Sequence, residues 1–267
     1  MAQILIRRQL PICHRPGQVQ PHSPASELLL LLTLMAAIHG CKDSQPHVNS
    51  GWVAPISYPL PTNAEIRRNP VNDTIRFLRA DGLASALESD EKYRRSRLEG
   101  RYAAMAIAFV EAHRSEFRLQ DPAAELSEKR VSTDSLGLTH VRLAQAYRGV
   151  PIFAAELLVH FRSPDGVYLV NGSYVPTPTE LETTPTLTTD GAFEIVAAQL
   201  PALGGSCKGC EADLVIVQLH AAEPKLAHRV RVRVSFVEGW DYFIDAHSGA
   251  VLHRISTVHT GTGKPTS

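Results

Sequence analysis

The sequence predicts an α+β protein made of two consecutive small units, each with a helix beside an antiparallel sheet. Two patterns recur in the same order. Apolar residues with helical spacing fall within 91–116 and again within 189–200. Each helix is followed by strand-like alternation of apolar and polar residues, within 141–169 and within 226–236. Elements grouped in this way favour α+β over a doubly wound parallel sheet.

The helix of the first unit is predicted from Glu91 to Glu116. Its apolar residues recur at steps of three and four, which places them on one side of a helix. His113 lies on that side, and we expect it to be a helix-end histidine near the core edge rather than a ligand. The side that would face the core consists of Leu98, Tyr102, Met105, Phe109 and His113.

Three antiparallel strands are predicted between Asp134 and Gly172. Proline and glycine supply the backbone angles of the turns near 149–151, 163–166 and 171–172. Alternation with a period of two gives each strand one buried face. The buried side chains would be Val141, Leu143 and Gln145, then Leu157, Val159 and Phe161, then Val167 and Leu169.

The second unit is predicted to begin with a helix capped by Thr189, followed by four strands. Its helix would bury Phe193, Val196, Ala197 and Leu200, and its strands are expected at 214–217, 226–236, 240–245 and 251–255. Along the third of these strands, Trp240, Tyr242 and Ile244 share one face. We expect them to be core anchors rather than a ligand site.

Three arginines, Arg229, Arg231 and Arg233, alternate with apolar residues along the second of these strands. A strand must present all three on one face of its sheet. They are candidate partner-binding residues, because a row of basic side chains complements an acidic surface on another protein. The alternative is an ordinary solvated outer face.

The amino-terminal part of the chain reads as an export signal followed by a tether. Residues 28–38 are apolar but too few to span a bilayer permanently, and arginines precede them. Residues 38–41 resemble a bacterial lipobox, which would make Cys41 the lipidated first residue of an exported envelope protein; the alternative is an ordinary cleaved signal. The long basic region suggests that the true start codon lies downstream of Met1. Residues 1–41 are therefore predicted as the signal and 42–72 as a flexible tether.

Cys207 and Cys210 lie in a glycine-rich loop after the second helix. An exported protein favours a disulfide between them. A redox site is the alternative, but such motifs normally open a helix. A zinc site would need two more ligands, for which only Asp213 or His220 is near in sequence.

Composition and missing motifs exclude several functions. The chain has 27 basic and 27 acidic residues, so its formal charge gives no case for a nucleic-acid partner or for an anionic membrane surface. None of its 12 histidines is followed by the glutamate of a His-Glu-x-x-His zinc motif. It also has no Gly-x-Ser-x-Gly elbow and no phosphate loop. No cofactor or metal is predicted.

Two stretches of the chain resemble known modules. Residues 134–152, 158–160 and 170–172 resemble the fungalysin/thermolysin propeptide (FTP) domain, here placed at 73–176. Within 214–255, residues 226–230, 240–246 and 248–252 are similar to a PepSY domain, placed at 189–258 after a connector at 177–188. Known relatives of both modules have a cystatin-like arrangement. The tail, 259–267, resembles the junction to a peptidase domain.

The resemblance implies a non-catalytic pro-region that assists the folding of, or inhibits, a secreted thermolysin-type zinc metallopeptidase. That peptidase would act as partner in trans or in cis, and a lipid anchor would be the chain's only contact with a membrane. His259 is a candidate partner-binding residue that could approach the zinc. One alternative is a truncated amino-terminal fragment of such a precursor, and another is an enzyme of unfamiliar type.

Overall fold

The computed structural model describes residues 58–162, 166–220 and 222–257, all of which belong to one compact unit. In this part of the chain, no helix is long and apolar enough to cross a membrane. The helices are α1 (Glu91–Leu98), α2 (Tyr102–Ala112), α3 (Arg114–Phe117), α4 (Pro122–Glu125) and α5 (Thr189–Gln199). The strands are β1 (Glu65–Arg68), β2 (Ile75–Arg79), β3 (Leu126–Thr133), β4 (Leu138–Tyr147), β5 (Val150–Arg162), β6 (Gly166–Ser173), β7 (Glu211–Val217), β8 (Lys225–Arg233), β9 (Gly239–Asp245) and β10 (Val251–Ser256).

The strands form one ten-stranded, mostly antiparallel sheet, which confirms the α+β class. Its first part contains β1 to β6 and its second part contains β7 to β10. The two parts meet at β5, where Ile152 pairs with Ile216 of β7 in a parallel register. The two predicted helix-and-sheet units are therefore continuous through a shared strand.

The core has three clusters of buried side chains. The largest packs α2 and its neighbouring helices against the first part of the sheet and includes Phe109, Leu143 and Phe161. The second lies between α5 and one face of the second part; it contains Trp240 at its edge and buries Tyr242 and Ile244, as predicted. The third, around Phe243, covers part of the opposite face.

The three predicted strands after Asp134 are β4, β5 and β6, but the buried face of β6 differs from the prediction. Val167 is buried as expected, whereas the second buried residue is Val170 rather than Leu169. The pairing of β5 with β6 shifts at this point, since His160 lies opposite Leu169 and Phe161 lies opposite Val167. This β-bulge gives β6 one extra residue, and therefore the alternation changes phase.

The helix predicted over 91–116 is three helices. Gly100 has φ +65°, a left-handed conformation that no α-helix contains, and it separates α1 from α2. Leu98 stands at the end of α1 and is 86% exposed, so its expected place in the core was wrong. Met105, Phe109 and His113 are buried as the spacing predicted.

The carboxyl-terminal end of the predicted tether differs from the structure. Strand β1 lies within 42–72 and pairs with β2, which in turn pairs with β6. All four residues of β1 are exposed, so no apolar alternation marked it as a strand. Two smaller differences concern the second unit: Thr188 rather than Thr189 caps α5, and β8 ends at Arg233, three residues before Phe236.

Gly172 is the glycine that the packing of β5 against β6 requires. A β-carbon at this position would overlap the carbonyl oxygen of Glu156 and lie 3.0 Å from Cα of Leu157. We expect Gly172→Ala to lower the free energy of unfolding by about 2 kcal/mol, because rigid backbone must move. Gly191→Ala is the matched control. Its new β-carbon would meet only the flexible end of the Leu187 side chain, and alanine has a higher helix propensity than glycine. Equal urea midpoints for the two variants would contradict the assignment.

Candidate partner-binding surfaces

The three arginines of β8 lie on one face of the second part of the sheet, opposite the face covered by α5. We call this the arginine face. Arg229 donates from Nε to Oδ2 of Asp241 at 2.9 Å. Arg231 pairs with Asp213 and, through Nη2 at 3.1 Å, with Glu211. Arg233 is exposed and forms no ion pair among the described residues. Acids of the neighbouring strands thus neutralise two of the three charges, and Arg233 is left for other contacts.

Arg229 is held by the first part of the sheet as well as by Asp241. Its guanidinium carbon lies 5.0 Å from the ring centroid of Phe153, within the range of a cation–π interaction. The Phe153 ring packs in turn on Phe243 at 4.7 Å between centroids. Phe153 comes from β5, so this stack joins the two parts of the sheet across the arginine face.

Asp241 is an unusual member of the arginine face because its side chain is only 6% exposed. Oδ2 accepts the two bonds from Arg229, but Oδ1 is buried with no hydrogen-bond partner among the described residues. A buried carboxylate requires its paired cation, and truncation of Arg229 would leave that charge uncompensated.

A polar cleft of about 420 Å³ opens at the end of the arginine face where β8 passes into β9. Thr257, which follows β10, donates its N–H to the carbonyl of Gly239 at 2.9 Å and lines this cleft. The cleft is lined by Gly209, Glu211, Arg231, Val232, Arg233, Trp240, Asp241 and Thr257.

A second groove, of about 350 Å³, lies where the two parts of the sheet meet. Phe153 and Phe243 contribute aromatic surface, and Asn72 braces its wall by donating Nδ2 hydrogen bonds to Tyr174 O and Gln218 Oε1, both at 2.9 Å. The sequence offered no sign of this groove, because its walls come from strands and loops far apart in the chain.

A chain of polar contacts crosses β4, β5 and β6 on the outer face of the first part of the sheet. His140 Nδ1 lies 2.6 Å from His160 Nδ1, and one hydrogen is shared between them. The other nitrogen of His140 lies 3.2 Å from Oδ2 of Asp134, and that of His160 lies 2.7 Å from Oδ1 of Asn171. The cross-strand register positions the two imidazoles directly opposite each other. We call them the histidine pair.

Burial lowers the pKa of two histidines below the ordinary value. For His160 the neighbouring His140 adds to this effect, although the bond to Asn171 opposes it. His113 is fully buried; its Nδ1 lies 2.7 Å from the carbonyl oxygen of Tyr58, and its Nε2 has no partner among the described residues. Both imidazoles are therefore neutral in the folded protein near pH 7.

Cys207 and Cys210 are joined by a disulfide in the loop after α5. No group of three or more metal-binding side chains occurs within residues 58–162, 166–220 and 222–257. The lipidation candidate Cys41 and the partner-binding candidate His259 lie outside the described residues.

Residues 124–174 match the family model of the fungalysin/thermolysin propeptide motif. The matched segment is a propeptide motif, not a catalytic domain. It contains β3 to β6, the histidine pair and Gly172. Within it, Gln145 is buried and clamps the backbone of Val175 with two hydrogen bonds, of 2.7 Å and 3.0 Å. The polar side chain of Gln145 is therefore accounted for by its hydrogen bonds to the backbone.

Curated relatives extend the similarity beyond that motif. Thermolysin of Alicyclobacillus acidocaldarius is 31% identical over 182 residues, covering 60% of this chain and 32% of its own length. Bacillolysin of Bacillus subtilis is 30% identical over 163 residues, covering 54% and 30%. The chain thus spans about a third of the length of these curated relatives. A solved structure, the Bacillus megaterium YpeB C-terminal domain, matches 72% of this chain and 81% of its own at 13% identity and a TM-score of 0.33.

The low pKa of His160 and His113 predicts a stability that depends on pH. Because each binds a proton less readily when folded, their contribution is present above the unfolded pKa of about 6.5 and is lost as pH falls below it. The free energy of unfolding should decrease between about pH 7.5 and pH 5.5, by at most about 1.4 kcal/mol per pH unit and proton. We expect His160→Gln to flatten this dependence in urea titrations. His247→Gln, at an exposed position, is the control; an identical slope for both variants would refute the role of His160.

Proposed function

We propose that this protein is a non-catalytic pro-region that assists the folding of, or inhibits, a thermolysin-type zinc metallopeptidase. The observation that supports this most directly is the family match at 124–174, because the matched family is a propeptide motif and not a catalytic domain. The similarity to thermolysin and bacillolysin over more than half of this chain points to the same class of peptidase.

The second part of the protein would then act as a PepSY-like module at 189–258, following the FTP-like module at 73–176. Its four antiparallel strands with α5 on one face agree with that proposal. The same proposal makes Cys41 a lipid anchor that holds the protein at the bacterial envelope, with the peptidase reached from there.

Inhibition would arise from exclusion of substrate rather than from chemistry. Strand β10 pairs only with β9 among the described strands, and an open strand edge offers backbone groups to an extended segment of a partner. The chain beyond Thr257, including His259, would lie in the peptidase cleft. Arg233, which forms no ion pair among the described residues, supplies a charge beside Thr257.

Two arrangements of the partner remain in the proposal. The peptidase acts in trans when the pro-region is free-standing, and in cis when it forms the front of a longer precursor. The residues Thr260–Lys264, which resemble the start of a mature peptidase, favour the second arrangement. Translation of the DNA after the Ser267 codon in three frames separates them, since a His-Glu-x-x-His motif there would identify a precursor.

The full chain is expected to inhibit casein hydrolysis by mature Bacillus subtilis bacillolysin and Alicyclobacillus acidocaldarius thermolysin, because both relatives match it. Inhibition should show a saturable dependence on the concentration of the chain. The chain should also speed refolding of the denatured peptidase. A serine peptidase assayed on casein is the control and should be unaffected. Unchanged hydrolysis at about a hundredfold molar excess of the chain, together with unchanged refolding of the denatured peptidase, would refute the proposal.

A further inference from the structure

The hairpin that joins β8 to β9 carries two adjacent apolar side chains in water. Phe236 is 97% exposed and Val237 is 75% exposed. Scattered apolar residues on a surface need no explanation, but an aromatic residue and a β-branched residue side by side at a protruding tip form a preformed contact point. We call these two residues the hairpin tip.

The hairpin tip is held in a defined shape. The N–H groups of Val234 and Ser235 both donate to the carbonyl of Glu238, at 2.9 and 3.0 Å. Ser235 Oγ accepts from the N–H of Val237 at 3.2 Å, and Glu238 accepts from Nε1 of Trp240 at 3.0 Å. A turn with these internal bonds presents its side chains at a low entropic cost of binding.

The hairpin tip lies next to the polar cleft and to Thr257, the last residue that the structure describes. Arg233 ends β8 immediately before the hairpin and lines the cleft, while Thr257 is bonded to Gly239 on its other side. The apolar tip, the basic Arg233 and the polar cleft therefore occur together at one end of the arginine face.

We propose that the hairpin tip is the main docking point for the peptidase, inserting into an apolar depression whose rim carries a carboxylate for Arg233. This inference rests on the proposed function and names the contact by which it operates. Charge favours this occupant, since Arg233 has no acidic partner in the described part of the chain. A second copy meeting symmetrically at this end would instead bring two Arg233 side chains together.

The test measures inhibition constants of the full chain against the same bacillolysin and thermolysin. The double variant Phe236→Ser/Val237→Ser should weaken inhibition by about tenfold or more, because it removes the apolar anchor. Arg233→Gln should weaken it less, and the difference from the unchanged protein should shrink at high salt. Leu136→Ser is the matched control: Leu136 is 81% exposed at the β3–β4 turn, and its replacement should leave inhibition unchanged.

Each outcome decides the inference. If the wild-type protein inhibits and the double variant inhibits equally well, the docking point is overturned and the proposed function stays intact. If the wild-type protein inhibits neither peptidase, the inhibitory role in the proposed function fails and the docking point fails with it. A third outcome concerns vesicles of equal parts phosphatidylglycerol and phosphatidylcholine. If only the double variant fails to bind them, and its inhibition is unaltered, the tip is a lipid contact instead. Equal thermal midpoints for all variants exclude an effect on folding.

Discussion

The structure depends on the change of partners made by β5. Residues 156–162 of this strand lie between β4 and β6. Residues 150–151 still pair with β4, but on the other edge Ile152 pairs with β7 instead of β6. Between them, Ala154 adopts φ +57°, and the buried residues change from an even position, Ile152, to odd positions beginning at Ala155. A left-handed conformation at a non-glycine residue costs about 1–2 kcal/mol. The neighbouring residue Phe153 packs on Phe243, and contacts of this kind offset the cost.

That change of partners also determines how charge is distributed on the arginine face. Phe153 reaches over Arg229, which is paired with the nearly buried Asp241. Arg231, farther along β8, is held by acids that are more exposed, and Arg233 has no ion pair within the described ranges. Among the described residues, ion pairing along the strand therefore stops before the hairpin. A surface with one end neutralised and the other free is oriented for contact at the free end.

The sequence predicted regular elements better than the irregularities that position the surfaces. A period of two was sufficient for β4, for most of β8 and for the common face of the three arginines. The bulges at Ala154 and near Tyr168 were missed, because a single extra residue or one left-handed alanine has no signature in composition. The acids that pair with Arg229 and Arg231 were also missed, since cross-strand neighbours depend on register. Strand β1 was missed because its side chains are all exposed.

The two parts of the sheet therefore divide the work that we propose for this protein. Gln145, Gly172 and the histidine pair lie within the matched propeptide motif, and their contacts stabilise the first part. The exposed apolar tip, the polar cleft and the unpaired Arg233 all lie in the second part. A contact surface on a small four-stranded sheet needs a rigid support, and β5 supplies it by continuing from one part into the other. The propeptide motif would thus contribute to binding by holding the second part in place, without itself touching the peptidase.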